Sequence, residues 1–133
     1  MKKILIVDDN DRYALNLQNY FHAKGISTER AVNAKLGFEM FSKTSDFDMI
    51  ISDITMESQT SGLWMMRKIY KTGYKGVMVI ASTGFDVWGV MGISKFILTW
   101  FCGLDWMIPK VPLKKGEVLW IPTQKSKELS SPI

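Results

Sequence analysis

Four short apolar runs in this 133-residue chain each lead to a side chain that can do chemistry. Residues 4–7 run into Asp8 and Asp9, 49–52 into Asp53, 77–81 into Ser82, and 106–108 are followed closely by Lys110. Carboxylates brought together repel one another, and some of their pKa values rise unless a cation neutralises them. A hard divalent ion answers that need. Mg²⁺ takes six oxygens at ~2.0–2.1 Å and commonly combines one or two carboxylates with phosphate oxygens. A carboxylate attacking phosphorus needs the negative oxygens of its target shielded. A metal and Lys110 can do this, while the hydroxyl of Ser82 can hydrogen-bond the transferred group. On that chemistry Asp53, alone at the end of its run, is the nucleophile.

The side chains converge only if the runs are strands of one sheet. Residues 4–7 are too few for a helix and empty abruptly into a polar loop, as a buried strand does. After the capping residues Asn10 and Asp11, Tyr13, Leu17, Tyr20 and Phe21 recur at helical spacing, and Gly25 supplies a stop. Residues 27–31 make a short second strand, and Asn33 caps a helix carrying Leu36, Phe38, Met40 and Phe41. A third strand over 49–52 ends on Asp53, and a helix over 62–71 follows by Leu63, Met66 and Ile69. Residues 77–81 make the strongest strand pattern, and 106–108 a fifth, before a weak final helix curtailed by Gly116 and Pro122. Strands alternating with helices predict a doubly wound parallel sheet covered on both faces. Ligands of such sheets bind beyond the carboxyl ends of the strands, where these polar residues collect.

Composition bounds the reading. The chain is hydrophobic over 47% and charged over 23% of its residues, too apolar for a disordered segment, and its length suits one domain. A flexible tail, rich in Ser and Lys, is expected over 123–133. Seventeen Lys and Arg against thirteen Asp and Glu leave a net charge of +4. That excess is too small to argue for nucleic acid, and no nucleic-acid partner is expected. Cys102 is the single cysteine and excludes an internal disulfide. The start Met1-Lys2-Lys3 with four apolar residues fits no signal peptide, so a cytoplasmic location is expected.

The run from Ile4 to Asp9, the segment Met49-Ile50-Ile51-Ser52-Asp53-Ile54-Thr55-Met56, the segment Val79-Ile80-Ala81-Ser82 and Lys110 together resemble the receiver domain of two-component response regulators, of the chemotaxis-regulator-like kind. The resemblance covers roughly residues 2–121, and its paired acids, acceptor, hydroxyl and lysine stand in the family's order. It implies a flavodoxin-like five-stranded parallel sheet in the order 2-1-3-4-5. It also implies that Asp53 takes a phosphoryl group from a phosphohistidine on a sensor histidine kinase or phosphotransfer protein. Mg²⁺ would be held by Asp9, Asp53 and the backbone carbonyl of Thr55, with Asp8 assisting through water. Lys110 would pair with the phosphoryl oxygens and Ser82 would swing toward them, reshaping the face of helix 4, strand 5 and helix 5 for a downstream effector protein. The chain would be a phosphoacceptor that assists its own phosphotransfer and dephosphorylation, not a classical enzyme.

Several positions depart from the family pattern. Glu57 stands where a proline is usual, and the glycine after the acceptor is Gly62, one residue late. Thr83 follows the switch hydroxyl in place of Ala or Gly. Met107, beside Trp106, occupies the aromatic switch position, and Val111 separates Lys110 from Pro112. Ser82 and Lys110 are farther apart than usual, and the final helix is shortened. These departures favour as alternative a phosphorylation-independent pseudo-receiver acting as an interaction or dimerisation module.

The excess length falls in an apolar stretch, 87–104, whose only charged side chain is Lys95. It reads as a long helix 4 region. Lys95 would penalise a spanning helix by ~2.5–3.5 kcal/mol and Gly89, Gly92 and Gly103 weaken it, so no membrane span is expected. Exposed apolar surface of that size marks an interaction site, so homodimerisation or partner docking through 85–108 is the expected use, ahead of fuller burial in this domain and of membrane contact. His22 reads as a structural or surface residue, Cys102 as a buried inert thiol, and Met40, Met65, Met66 and Met91 as core filler.

Overall fold

The computed structural model describes residues 1–44, 46–53, 61–82, 103–123 and 131–133. Its elements run β1 (Lys3–Val7), α1 (Asp11–His22), β2 (Ser27–Ala31), α2 (Ala34–Thr44), β3 (Met49–Asp53), α3 (Ser61–Lys71), β4 (Val77–Ser82), β5 (Trp106–Pro109), α4 (Lys110–Lys114) and β6 (Ile121–Pro122). The sheet order is β2-β1-β3-β4-β5-β6. The first five strands are parallel, in the 2-1-3-4-5 order expected. Among the described residues no helix is long and apolar enough to cross a membrane.

Strands that are apolar at every position must be buried on both faces. Ile4, Leu5, Ile6 and Val7 are all fully buried. Because side chains alternate across a strand, they feed two cores. Ile4 and Ile6 join Met49, Ile51, Val79, Ala81, Trp106 and Ile108 under α1, which contributes Ala14, Leu17 and Phe21. Leu5 and Val7 join Ile50, Met78, Ile80 and Met107 under α2 and α3, which contribute Phe41, Met65, Met66 and Ile69. Helix starts follow the expected caps. Asn10 Oδ1 accepts from the Tyr13 amide at 3.1 Å and Asn33 Oδ1 from the Leu36 amide at 2.7 Å.

The carboxy-terminal part adds two features to the expected elements. The sheet has a sixth strand, since β6 pairs antiparallel with β5 through Trp106↔Pro122 and Met107↔Ile121. Thr123, the first residue of the expected tail 123–133, is buried. Its amide donates to Asp105 O at 3.1 Å, and its hydroxyl donates to Leu104 O at 2.9 Å and Asp105 O at 3.0 Å. The physical reason is Trp120. Helix α4 stops at Lys114, and the extended segment that follows lays the indole beside Tyr20, Phe21 and Trp106, with ring centroids 6.1–6.4 Å apart. Its Nε1–H donates to the Tyr20 hydroxyl at 3.2 Å. An aromatic side chain thus fills, against α1, space that the short helix leaves, and carries the chain back to the sheet edge.

Candidate functional site

Parallel strands all point one way, so their carboxyl ends share a rim, and register decides which residues meet there. Val7 pairs with Ser52, which brings Asp8 and Asp53 side by side just beyond that pair. Asp53 pairs with Ala81, and Ser82 with Pro109, so Ser82 and then Lys110 continue along the same rim. The side chains converge accordingly. The Lys110 ammonium lies 3.0 Å from Asp53 Oδ1 and 3.4 Å from Asp8 Oδ2. Asp8, Asp9 and Asp53 each offer a carboxylate oxygen, all within 4.8 Å of one another. Asp8, Asp53, Ser82 and Lys110 are 1%, 4%, 4% and 5% exposed, whereas Asp9 faces solvent.

The charge balance of this rim is unequal. Among the described residues, two buried carboxylates share the Lys110 ammonium, and it is Asp8 that keeps an unsatisfied oxygen. Its Oδ1 accepts from the Asn10 amide at 2.9 Å, but its buried Oδ2 makes no hydrogen bond and lies 3.4 Å from the Lys110 ammonium. Burial therefore pushes the Asp8 carboxyl above the ordinary carboxylate range. The Asn10 amide and the Lys110 charge oppose that shift, and the Asp53 charge adds to it. An all-oxygen donor set with an unsatisfied buried carboxylate oxygen fits a hard divalent cation.

Three supporting contacts were not visible in the sequence. Arg30, at the end of β2, donates to the Asp8 carbonyl from Nε at 3.1 Å and Nη2 at 2.9 Å, while Nη1 pairs with Asp11 at 2.6 Å. This guanidinium staples the acidic loop to the sheet. The ring of Tyr13, which the helical pattern marks only as a core-facing residue, lies 4.5 Å from the Lys110 ammonium. Gly62 approaches the end of β3 so closely that an added Cβ would stand 2.0 Å from the Asp53 carbonyl oxygen. Backbone cannot swing aside as a side chain can. Gly62→Ala is thus expected to destabilise the fold by about 1–3 kcal/mol, read by urea unfolding, through overpacking against the Asp53 backbone.

Of the residues singled out from sequence, the structure brings together Asp8, Asp9, Asp53 and Lys110, and places Ser82 on the same rim. Thr55, Glu57 and Thr83 lie outside the described residues, as does the stretch 85–108 apart from 103–108. Met107 is 3% exposed and packs in the core under α2 and α3. Val111, which parts Lys110 from Pro112, is 65% exposed.

A family model described as the response regulator receiver domain matches residues 4–90. The matched span holds Asp8, Asp9, Asp53 and Ser82, and Lys110 joins them only through the fold. Among solved structures, the chain is similar to the chemotaxis protein CheY4 of Vibrio cholerae, at 19% identity over 87% of this chain and 92% of that one, with a TM-score of 0.70. It is similar to the receiver domain of Francisella response regulator 1452 at 22% identity over 84% and 85%, with a TM-score of 0.68. A response regulator receiver domain protein from Clostridium thermocellum shares 23% identity over 72% and 76%, with a TM-score of 0.61. At these identities the likeness speaks for the fold. No curated protein matches the sequence.

Proposed function

Because the chain belongs to the response regulator receiver domain family of two-component signalling, we propose that Asp53 is its phosphoacceptor. The observation that carries this reading is the buried Lys110 ammonium, 3.0 Å from Asp53 and shared with Asp8 inside a cluster of three carboxylates. An Asp53 carboxylate oxygen forms the new bond to phosphorus as the phosphorus–nitrogen bond of a donor phosphohistidine breaks. The product is an aspartyl phosphate. Lys110 leaves its ion pair with Asp53 to pair with the phosphoryl oxygens, and the Ser82 hydroxyl donates to them. Asp9, Asp53 and the Thr55 carbonyl would hold Mg²⁺, with Asp8 assisting through water, and the bound ion would shield the charge of the phosphoryl oxygens. The donor is a sensor histidine kinase or phosphotransfer protein, and the receiver of the signal a downstream effector. The apolar sequence over 87–104 supports self-association through 85–108, to be read as solution mass.

Incubation with Mg²⁺ and a phosphohistidine donor should yield a hydroxylamine-labile phosphoprotein of increased intact mass. Persistent absence of the mass increment with a cognate kinase would favour a phosphate-independent interaction module.

The charge deficit at Asp8 makes a second prediction. A carboxyl whose folded pKa is raised withholds stability above that pKa and restores it as pH falls through it. Without divalent cation at neutral pH, Asp8→Asn leaves one balanced pair, Lys110 with Asp53. The variant should be more stable than the native chain by about 1–3 kcal/mol, the penalty of an unsatisfied buried polar group. The advantage should shrink on acidification, since the native Asp8 then protonates. Added Mg²⁺ at 100 times its Kd should stabilise the native chain by about 2.7 kcal/mol and the variant by less. Thermal melts across pH, with and without Mg²⁺, check both signs.

A further inference from the structure

Tyr13 has no place in the chemistry described so far, yet it touches the one buried cation of the site. It sits in the first turn of α1, half-buried, with its amide tied to the cap residue Asn10. Its ring packs against the core that holds Ile4, Ile6, Trp106, Ile108 and Leu113. The Lys110 ammonium lies 4.5 Å from the ring centroid.

An ammonium has three N–H donors, and among the described residues this one meets Asp53 Oδ1 at 3.0 Å, Asp8 Oδ2 at 3.4 Å and the negative face of this ring. Lys110 is 5% exposed, so the ring stands where an exposed lysine would have water. A desolvated cation gains more from an aromatic face than a solvated one does. The lysine stem is long and rotatable, and a salt bridge to one carboxylate alone leaves it free to swing.

We infer that Tyr13 is a positioning residue, whose ring face holds the Lys110 ammonium against Asp53 and so sets the rate at which the acceptor is phosphorylated. This deepens the phosphoacceptor reading and rests on it for the second half. The phenol hydroxyl plays no part, and the quadrupole of the ring does. Tyr13→Phe therefore retains the function, whereas Tyr13→Leu keeps apolar bulk in the core and loses it.

Two measurements on the full chain test this. The first needs no phosphate. Acetylation of Lys110 by a water-soluble acetyl ester is timed by peptide mass spectrometry at fixed pH, with the exposed Lys24 as internal reference. Tyr13→Phe should match the native rate and Tyr13→Leu should exceed it roughly tenfold. The second times labelling of Asp53 by acetyl phosphate with Mg²⁺, where Tyr13→Leu should be slower by a similar factor and Tyr13→Phe unchanged. A Mg²⁺ affinity equal in all three proteins shows that the acid cluster itself is undisturbed. Equal Lys110 acetylation in the three proteins overturns the inference, and so does equal labelling where the native chain is labelled. A native chain that takes no label instead overturns the phosphoacceptor reading, and Lys110 acetylation then still decides what Tyr13 holds.

Discussion

Asp53→Asn is expected to abolish phosphoryl labelling, a loss on the order of 10⁴-fold or more, as befits removal of the reacting group. The amide lacks the charged oxygen that forms the new bond, while its size and polarity let it occupy the same place at the end of β3. The variant should fold. Removing the Asp53 charge leaves Lys110 paired with Asp8 alone, so the buried charges balance better than in the native rim. A loss of label with an unchanged or raised melting temperature thus isolates chemistry from stability. Retained labelling would move the acceptor to Asp8 or Asp9, the other two carboxylates of the cluster, and would sink the assignment.

Lys110→Met should have the largest effect on stability. Methionine replaces the length of the lysine stem but not its charge, and the buried Asp8 and Asp53 carboxylates then both lose the Lys110 ammonium. Breaking a buried ion pair from one side destabilises by roughly 3–5 kcal/mol because the remaining charge is uncompensated. The pH dependence follows from Asp8. Its carboxyl is already raised by burial and held down in part by Lys110, so the substitution raises it further. Stability lost at neutral pH is regained as pH falls through that raised value. Urea unfolding at neutral and mildly acidic pH should show the deficit narrowing in acid, and Mg²⁺ should narrow it at neutral pH by replacing the missing positive charge. A variant as stable as the native chain at neutral pH without divalent cation would mean that the Lys110 ammonium is not what balances these acids.

The elements were legible where burial writes itself into sequence. β1 and β3 are buried on both faces, so every position from Ile4 to Val7 and from Met49 to Ile51 is apolar, and the run stops where the chain leaves the sheet. Helices α1 and α2 declared their starts through Asn10 and Asn33, local signals that need no distant partner. β6 left no such mark. Two residues, one of them proline, make no periodic pattern, and their pairing with Trp106 and Met107 rests on an edge that other parts of the chain leave open. Thr123 looked like tail because its neighbours in sequence are polar, although its own hydroxyl closes on Leu104 and Asp105.

The site divides along the same line. That Asp8, Asp9, Asp53, Ser82 and Lys110 share one rim follows from sequence alone, because each stands at or just past the carboxyl end of an apolar strand and parallel strands deliver those ends to one side. What each carboxylate experiences there is not. That Asp8 is the acid left short of partners, that Arg30 staples its carbonyl, that Gly62 must be glycine beneath Asp53 and that Tyr13 covers Lys110 all depend on residues far apart in the chain. Local pattern reports which face of an element is buried. Only the packed sheet decides which charges meet across it, because electrostatic balance and close contact are set by distances that no spacing in sequence encodes.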